Sequence, residues 1–282
     1  MIINTKDKRN FFQNFYPEIL TSKQSNCEQI REFVASREGK GLELYLKNKA
    51  WKADLEGETK VYLVKDKKDS IVLFFSIKCG LLYKTYQYDK LESDKREFVN
   101  MLIDAMMQQD SDTLDNYYNS GMYNLHEMDY LFHIAQNRID LKLEEKELQD
   151  SKYTLKVEES YPAIEIHHFC KNSKYELDHK IGVPLGFGIF WEIIVPLVCE
   201  ITSKIGCKYL YLFAADQTLD KEVKKLVQYY KNELKFSDVE DMMLIKPNYD
   251  QGCLGLVQAI SDLQYNRDAI WEEFSDVCPE IR

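Results

Sequence analysis

The stretch that most restricts the fold runs from Ala163 to Ala215, where a strand pattern, a glycine turn, a helix pattern and a second strand pattern follow one another. AIEIHHFC (163–170) begins with apolar and polar residues in alternation, and GVPLGFGIF (182–190) supplies the closely spaced Gly186 and Gly188. Phe190, Ile193, Ile194, Leu197, Val198 and Ile201 then mark one apolar face at helical spacing. KYLYLFAA (208–215) is nearly uninterrupted in apolar and aromatic residues, as a strand covered on both faces must be. Strand, crossover helix and strand make a βαβ unit, whose two strands run parallel in one sheet.

An antiparallel element precedes that unit. KVYLV (60–64) and SIVLFFSIKCGLLY (70–83) are rich in β-branched and aromatic residues and are separated by the polar stretch Lys65 to Asp69, which predicts a hairpin. Helical patterns cover Cys27 to about Ala35 and Leu42 to about Leu55. From about Tyr88 to Ser151 a helical insertion is expected, since a run this long exceeds any plain loop. The fold class is therefore α/β (α+β): a mixed, mainly antiparallel sheet flanked by helices. Its expected parts are residues 1–88 with the first helices and hairpin, 89–151 as insertion, 152–247 as the ligand-binding half and 248–282 as a helical extension. DMMLIKP (241–247) is expected to be the closing strand, and Pro196, which removes one intrahelical bond, to kink the crossover helix.

Composition narrows the function classes. With 45% hydrophobic and 30% charged residues and only 11 Gly and 6 Pro in 282, the chain is an ordered globular one. Seven cysteines without a CxxC pair read as reduced thiols, so neither a disulfide framework nor a metal site is expected. No signal-like start and no apolar run of the ~20 residues a membrane span needs is visible, which implies a cytoplasmic protein without a membrane partner. A net charge of −10, from 37 basic and 47 acidic residues, repels polyanions, so no nucleic-acid partner is expected.

The glycine turn points to a ligand. Without Cβ atoms, Gly186 and Gly188 let the backbone come close to a bound group, and the free N–H groups at a helix start face an anion such as a pyrophosphate. V-P-L-G-F-G (183–188) resembles the pyrophosphate motif Q/R-x-x-G-x-G/A of the GNAT superfamily of N-acyltransferases, with Val183 at its first position. LELYLKNKAW, KVYLVKD and SIVLFFSIKCG resemble that family's first helices and hairpin, and AIEIHHFCKN its fourth strand. KYLYLFAAD and LVQYYKNELKF resemble its fifth strand and the segment after it, with Lys235 where a glycine is usual before Phe236. The resemblance implies a GNAT fold, acetyl-CoA as acyl donor, no metal, and direct acyl transfer to an amine of a small molecule or protein. It places the donor on Phe169, Cys170, Lys171, Val183, Leu185, Gly186, Phe187, Gly188 and Ile189, so an acidic side chain at Gly188 should block binding. A non-catalytic GNAT-like module that binds CoA for protein interaction is the alternative.

Proton transfers have two candidates under the same resemblance. Glu165 stands where histone-acetylating members carry their glutamate, and strand alternation puts it on one face with His167 and Phe169, with His168 opposite. A carboxylate raised in pKa by burial could be the general base, as could His167, and a salt-bridged strand carboxylate is the alternative. Tyr230 matches the tyrosine that protonates the leaving thiolate, Tyr229 is its fallback, and a core tyrosine is the bland reading. Cys170 as an acyl-enzyme nucleophile has no base neighbour in the sequence. The insertion, leaving after the third strand and returning at the fourth, is expected to wall the acceptor groove.

Overall fold

A computed structural model describes residues 5–84, 87–147, 157, 159–176, 181–215, 221–239, 242–245 and 253–276. The chain divides into two compact units, one of Met1–Leu82 with Ser160–Arg282 and one of Tyr83–Glu159. In chain order the elements are α1 (Thr5–Phe11), β1 (Tyr16–Ile19), α2 (Asn26–Gln29), α3 (Lys40–Asn48), α4 (Ala50–Leu55), β2 (Lys60–Lys65) and β3 (Ile71–Lys84). The helices α5 (Ser93–Gln108), α6 (Ser111–Tyr118) and α7 (Leu125–Glu147) follow, then β4 (Glu159–Lys171), α8 (Leu185–Ile189) and α9 (Val195–Thr202). The chain continues through β5 (Tyr209–Ala214), α10 (Lys221–Asn232), β6 (Ser237–Asp238), β7 (Leu254–Ala259) and α11 (Ile260–Asp276).

Seven strands form one sheet in the order β1-β2-β3-β4-β5-β7-β6. β2 pairs antiparallel with β1 and β3, β7 pairs antiparallel with β5 and β6, and β4 runs parallel to β5. The parallel pair is joined by the α8–α9 crossover, as the sequence pattern requires. This mixed sheet flanked by helices is the GNAT fold that the resemblance implies.

Two expectations for the C-terminal part differ from the structure. Residues 248–282 are not wholly helical: LGLVQA (254–259) is strand β7, whose short apolar run reads as a helix start only because it runs straight into α11. DMMLIKP does not form the closing strand: of its described residues, 242–245, only Met243 makes a single β-bridge, and 241 and 246–247 lie outside the described residues. The short β1, YPEI, also has no legible period, because four residues are too few to show one.

The sheet has two covered faces. α3 and α4 lie on one, where Leu46 and Ala50 pack with Val61, Leu63 and Phe74. On the other, the crossover helix, α1, α10 and α11 share a larger core that includes Phe12, Phe187, Trp191, Leu210, Tyr230 and Trp271. Pro196 is accommodated without a break. Phe190–Ile194 forms a π-turn, in which Val195 N–H reaches the Phe190 carbonyl, and α9 restarts with the proline in its first turn, where its missing N–H costs nothing. The run Leu185–Thr202 is long and apolar enough to cross a membrane, yet just over half of it (56%) is buried inside the protein as this core helix.

Glu192 in the π-turn ties three helices together. Arg267 of α11 grips it with Nε to Oε1 at 3.1 Å and Nη2 to Oε2 at 2.6 Å, Trp271 donates its indole N–H at 2.8 Å, and Arg9 of α1 adds Nε at 3.0 Å. Another buried polar side chain has no such partners: Gln258 of β7 is 4% exposed, and neither of its amide atoms has a hydrogen-bond partner among the described residues. Gln258→Met, of similar length and without polar atoms, is expected to stabilise the protein by roughly 1–3 kcal/mol. A urea midpoint that fails to rise would show that the amide is bonded in solution.

The second unit has its own core. Phe98, Val99, Leu102 and Ile103 of α5 pack with Met128, Leu131, Ile134 and Ala135 of α7. Asp110 caps α6 through the Thr113 N–H at 3.1 Å, and Lys95 pairs with Glu127 at 3.2 Å. The segment is helical, as its spacing predicts, and it divides into α5, α6 and α7.

Candidate active site

The register of β4 decides what the site contains. Ile164 and Ile166 face the crossover core, while Glu165 meets Tyr211 on the opposite face. Strict alternation would send His168 to the crossover side and Phe169 away from it, and the reverse is seen. His168 stacks on Tyr45 of α3 with ring centres 3.8 Å apart, Cys170 joins the α3 core, and Phe169 packs in the crossover core. Both His167 and His168 therefore follow Glu165 on its face, and one extra residue is absorbed at this point, as in a β-bulge. The expected grouping of Glu165 with Phe169 is corrected accordingly. Pairing with β5 stops just before the bulge, at Ile166 opposite Leu212, although β5 goes on to Ala214 with β7 beside it. Beyond that pair the two strands part.

On the α3 face, alternate residues of β3 reach across to β4 and β5. Ser76 Oγ lies 2.7 Å from His168 Nδ1, and Lys78 Nζ lies 3.4 Å from Glu165 Oε2. Gly80 leaves room for the Tyr211 hydroxyl, which a Cβ at that position would overlap. That hydroxyl donates to Glu165 Oε2 at 2.9 Å, and His167 Nδ1 lies 2.5 Å from Oε1. Burial, the largest single influence, pushes the Glu165 carboxyl up, but His167, Tyr211 and Lys78 together outweigh it and hold it below the usual glutamate value. A burial-raised Glu165 was the expectation, so the direction is reversed. His168 is pushed down to about 3 by burial, with His167 and Lys78 adding to it, and stays neutral. Burial, with the Glu165 charge behind it, also raises Tyr211 above its ordinary value.

On the crossover face, the glycine turn meets α10. The side chains of Val183, Leu185, Phe187 and Ile189 are buried in the core, which leaves their backbone as the part able to face a ligand. Gly186 is the partly exposed glycine: a Cβ there would lie 3.5 Å from the Tyr229 hydroxyl and 3.6 Å from the Phe169 ring, ordinary contacts. Gly188 is different. It is buried, a Cβ would overlap the Phe12 ring, and its N–H bonds the Pro184 carbonyl at 3.1 Å. The first-turn N–H groups that remain to face an anion are those of Leu185 and Gly186, whereas the expected contacts Gly188 and Ile189 lie against Phe12 and inside the helix.

Tyr230 is 7% exposed in the crossover core, its ring 6.3 Å from that of Phe236, whereas Tyr229 is partly exposed and faces Gly186. The end of α10 explains the ambiguity between them. Phe236 N–H reaches back six residues to the Tyr230 carbonyl at 3.0 Å, one residue wider than a Schellman turn, and Lys235 takes the left-handed φ of 57° that the family's glycine would supply. Cys170 lies against Gly39 and its thiol is pushed up to about 12, by burial first and Glu43 second, so it is protonated and inert. Lys171 is exposed at the end of β4.

Lys78, Gly80 and Tyr211 are the site residues that sequence reasoning missed. A glycine within a strand signals close approach of another group, which Gly80 confirms, but nothing in KYLYLFAA singles out Tyr211 before its register opposite Glu165 is known. A cleft of about 680 Å³ beside the β2–β3 turn, lined by Glu28, Glu32, Asp66, Asp69 and Glu176 among others, includes none of these groups. Among the described residues, no group of three or more His, Cys, Asp or Glu side chains is placed to hold a metal ion.

No model of a known protein family and no curated protein matches the chain. Among solved structures, it is similar to a mutant of KacT at 11% identity over 90% of this chain and 99% of that one, with a TM-score of 0.47. It is similar to AtaTR bound with AcCoA at 10% identity over 90% and 98%, with a TM-score of 0.45. A third, AtaT complexed with acetyl-methionyl-tRNAfMet, is 9% identical over 89% and 98%, with a TM-score of 0.42. Strand order, the parallel β4–β5 pair and its crossover helix give this chain the GNAT fold.

Proposed function

We propose that the protein is an N-acyltransferase that moves an acetyl group from acetyl-CoA to an amine. The observation that carries this reading is the parting of β4 from β5 after Ile166 and Leu212, with Gly186, Phe169 and Tyr229 on one side of it and Glu165 and His167 on the other. The residues present suit the donor. The N–H groups of Leu185 and Gly186 would hold its pyrophosphate, and the backbone of β4 from His167 to Lys171, no longer paired with β5, would bind its amide-bearing arm. Acetyl-CoA, when bound, supplies an activated thioester. Tyr229, beside the glycine turn, keeps its proton because burial, and then Tyr230 and Glu233, raise its pKa, and it is placed to give that proton to a departing thiolate. The acceptor amine approaches from the side of Glu165.

The test combines calorimetry with acetyl-CoA and thiol release in the presence of a primary alkylamine, a lysine-bearing peptide or an aminoacyl-tRNA. The last is included because one of the similar structures is a complex with acetyl-methionyl-tRNA. Binding together with acceptor-dependent thiol release is expected. Tyr229→Phe should lower kcat by ~10² to 10⁴ with acetyl-CoA affinity within a few-fold, and Tyr230→Phe should leave kcat near its original value. Absence of acetyl-CoA binding would overturn the reading, and binding without thiol release on any acceptor would favour the non-catalytic module.

A further inference from the structure

We propose that His167 is the general base of this site and that Glu165 is a positioning residue, clamped in place by Tyr211 through the gap left at Gly80. The assignment rests on the acyltransferase reading above and names the group that takes the acceptor's proton.

The argument begins with hydrogen-bond capacity. An ionised carboxylate only accepts, so the 2.5 Å contact between Glu165 Oε1 and His167 Nδ1 requires the proton to sit on Nδ1. A neutral ring with its proton on Nδ1 has its lone pair on Nε2. Among the described residues Nε2 has no hydrogen-bond partner, and the side chain is 18% exposed, which leaves that atom available to an incoming donor. Glu165 has the opposite situation. Its side chain is 6% exposed, and its two oxygens already take His167, the Tyr211 hydroxyl and Lys78. Three donors around one buried carboxylate favour its charged form and take three of its roughly four lone-pair sites, which leaves it a poorer acceptor for a substrate proton than the free Nε2 of His167.

His168 does not compete, because its Nδ1 is engaged by Ser76 and its ring lies under Tyr45. The groups facing His167 are Lys78 from β3, Glu165 and His168 from β4 and Tyr211 from β5. Gly80 completes the arrangement: any side chain there would displace the Tyr211 hydroxyl and free Glu165 to turn.

In the step this implies, an ammonium acceptor gives one N–H proton to His167 Nε2 and keeps the bonding pair as the amine lone pair. That pair forms the new C–N bond at the thioester carbon, the C–S pair leaves with sulfur, and the second amine proton is lost as the thiolate is protonated. His167 then releases its proton to solvent. Protons and electrons balance without a further reactant.

Three variants test this, each checked for unchanged acetyl-CoA affinity as evidence of a native fold. His167→Gln should lower kcat/KM at neutral pH by ~10² to 10⁴, with the loss shrinking as the pH is raised and the acceptor deprotonates by itself. Glu165→Gln should keep more activity than His167→Gln, since the ring keeps an Nε2 lone pair for the acceptor in the Nδ1–H tautomer but loses the partner that fixes it. Tyr211→Phe should lose less activity than Glu165→Gln, because it removes one donor of the clamp and leaves the carboxylate. Nitrogen-15 spectra of the His167 ring should show a single Nδ1–H tautomer in the native protein and a mixture in Glu165→Gln, a readout independent of turnover. If His167→Gln keeps its rate while Glu165→Gln loses it, Glu165 is the base and the proposal fails, although the acyltransferase reading stands. If the native protein releases no thiol with any acceptor, the acyltransferase reading fails and takes this assignment with it.

Discussion

Gly188→Ala is expected to destabilise the protein by ~3 kcal/mol or more, at or beyond the top of the usual range for overpacking, and to do so with or without acetyl-CoA. The added methyl group would occupy the space of the Phe12 ring, which is fully buried and holds its place against Phe11, Phe15 and Trp271. Backbone on one side and a packed aromatic ring on the other leave no route for relief, because protein interiors are as dense as crystals. Gly186→Ala is the control, since its methyl would make only ordinary contacts with Tyr229 and Phe169. Urea titration of both variants decides the matter. Equal midpoints would mean that the Gly188 contact is relieved in solution and that the second glycine of the motif serves a ligand after all.

Glu192→Ala is expected to cost ~3–5 kcal/mol, as does removal of one partner from a buried ion pair. The substitution strands the Arg267 guanidinium and the Trp271 indole N–H at a site where the carboxylate is only 5% exposed. Arg9→Ala should cost less, because Arg9 is about one-third exposed and water can replace it. A double-mutant cycle between Glu192 and Arg267, followed by urea unfolding, separates the pair from the rest of the cluster. A loss below ~1 kcal/mol for Glu192→Ala would show that the three helices are held by apolar packing alone.

Periodicity carried most of the fold because the elements are long enough to show it. The hairpin, the crossover helix and KYLYLFAA all lie where their spacing puts them, and the charge-rich segment after residue 88 is helical as expected. What escaped was short or irregular. β1 has four residues and β6 has two, and β7 merges into α11 without a turn residue between them. At the site, the alternation rule failed at one point only. The bulge after Glu165 exchanged the faces of His168 and Phe169, and no residue type in HHFC announces it. At the end of α10, whose closing turn is one residue wider, Tyr229 and not Tyr230 lies beside Gly186. Gly188 misled for a different reason: a glycine required by packing and a glycine required by a ligand are identical in sequence, and Phe12, the residue that separates the two cases, lies far away along the chain.

The position of β7 has a consequence for the order in which the protein assembles. Because β7 lies between β5 and β6, the edge of β5 that will receive it stays bare until residues 254–259 have been synthesised, with Tyr209 waiting for Ala259 and Ala214 for Leu254. Such long-range pairing is slow to form, since the entropy of closing the loop must be spent before the ladder returns anything. Meanwhile an apolar strand, YLYLFA, presents unpaired backbone groups on one side, which is the condition under which chains associate wrongly. The β7–β6 end of the sheet, two of its seven strands, is thus a late event set by the strand order itself.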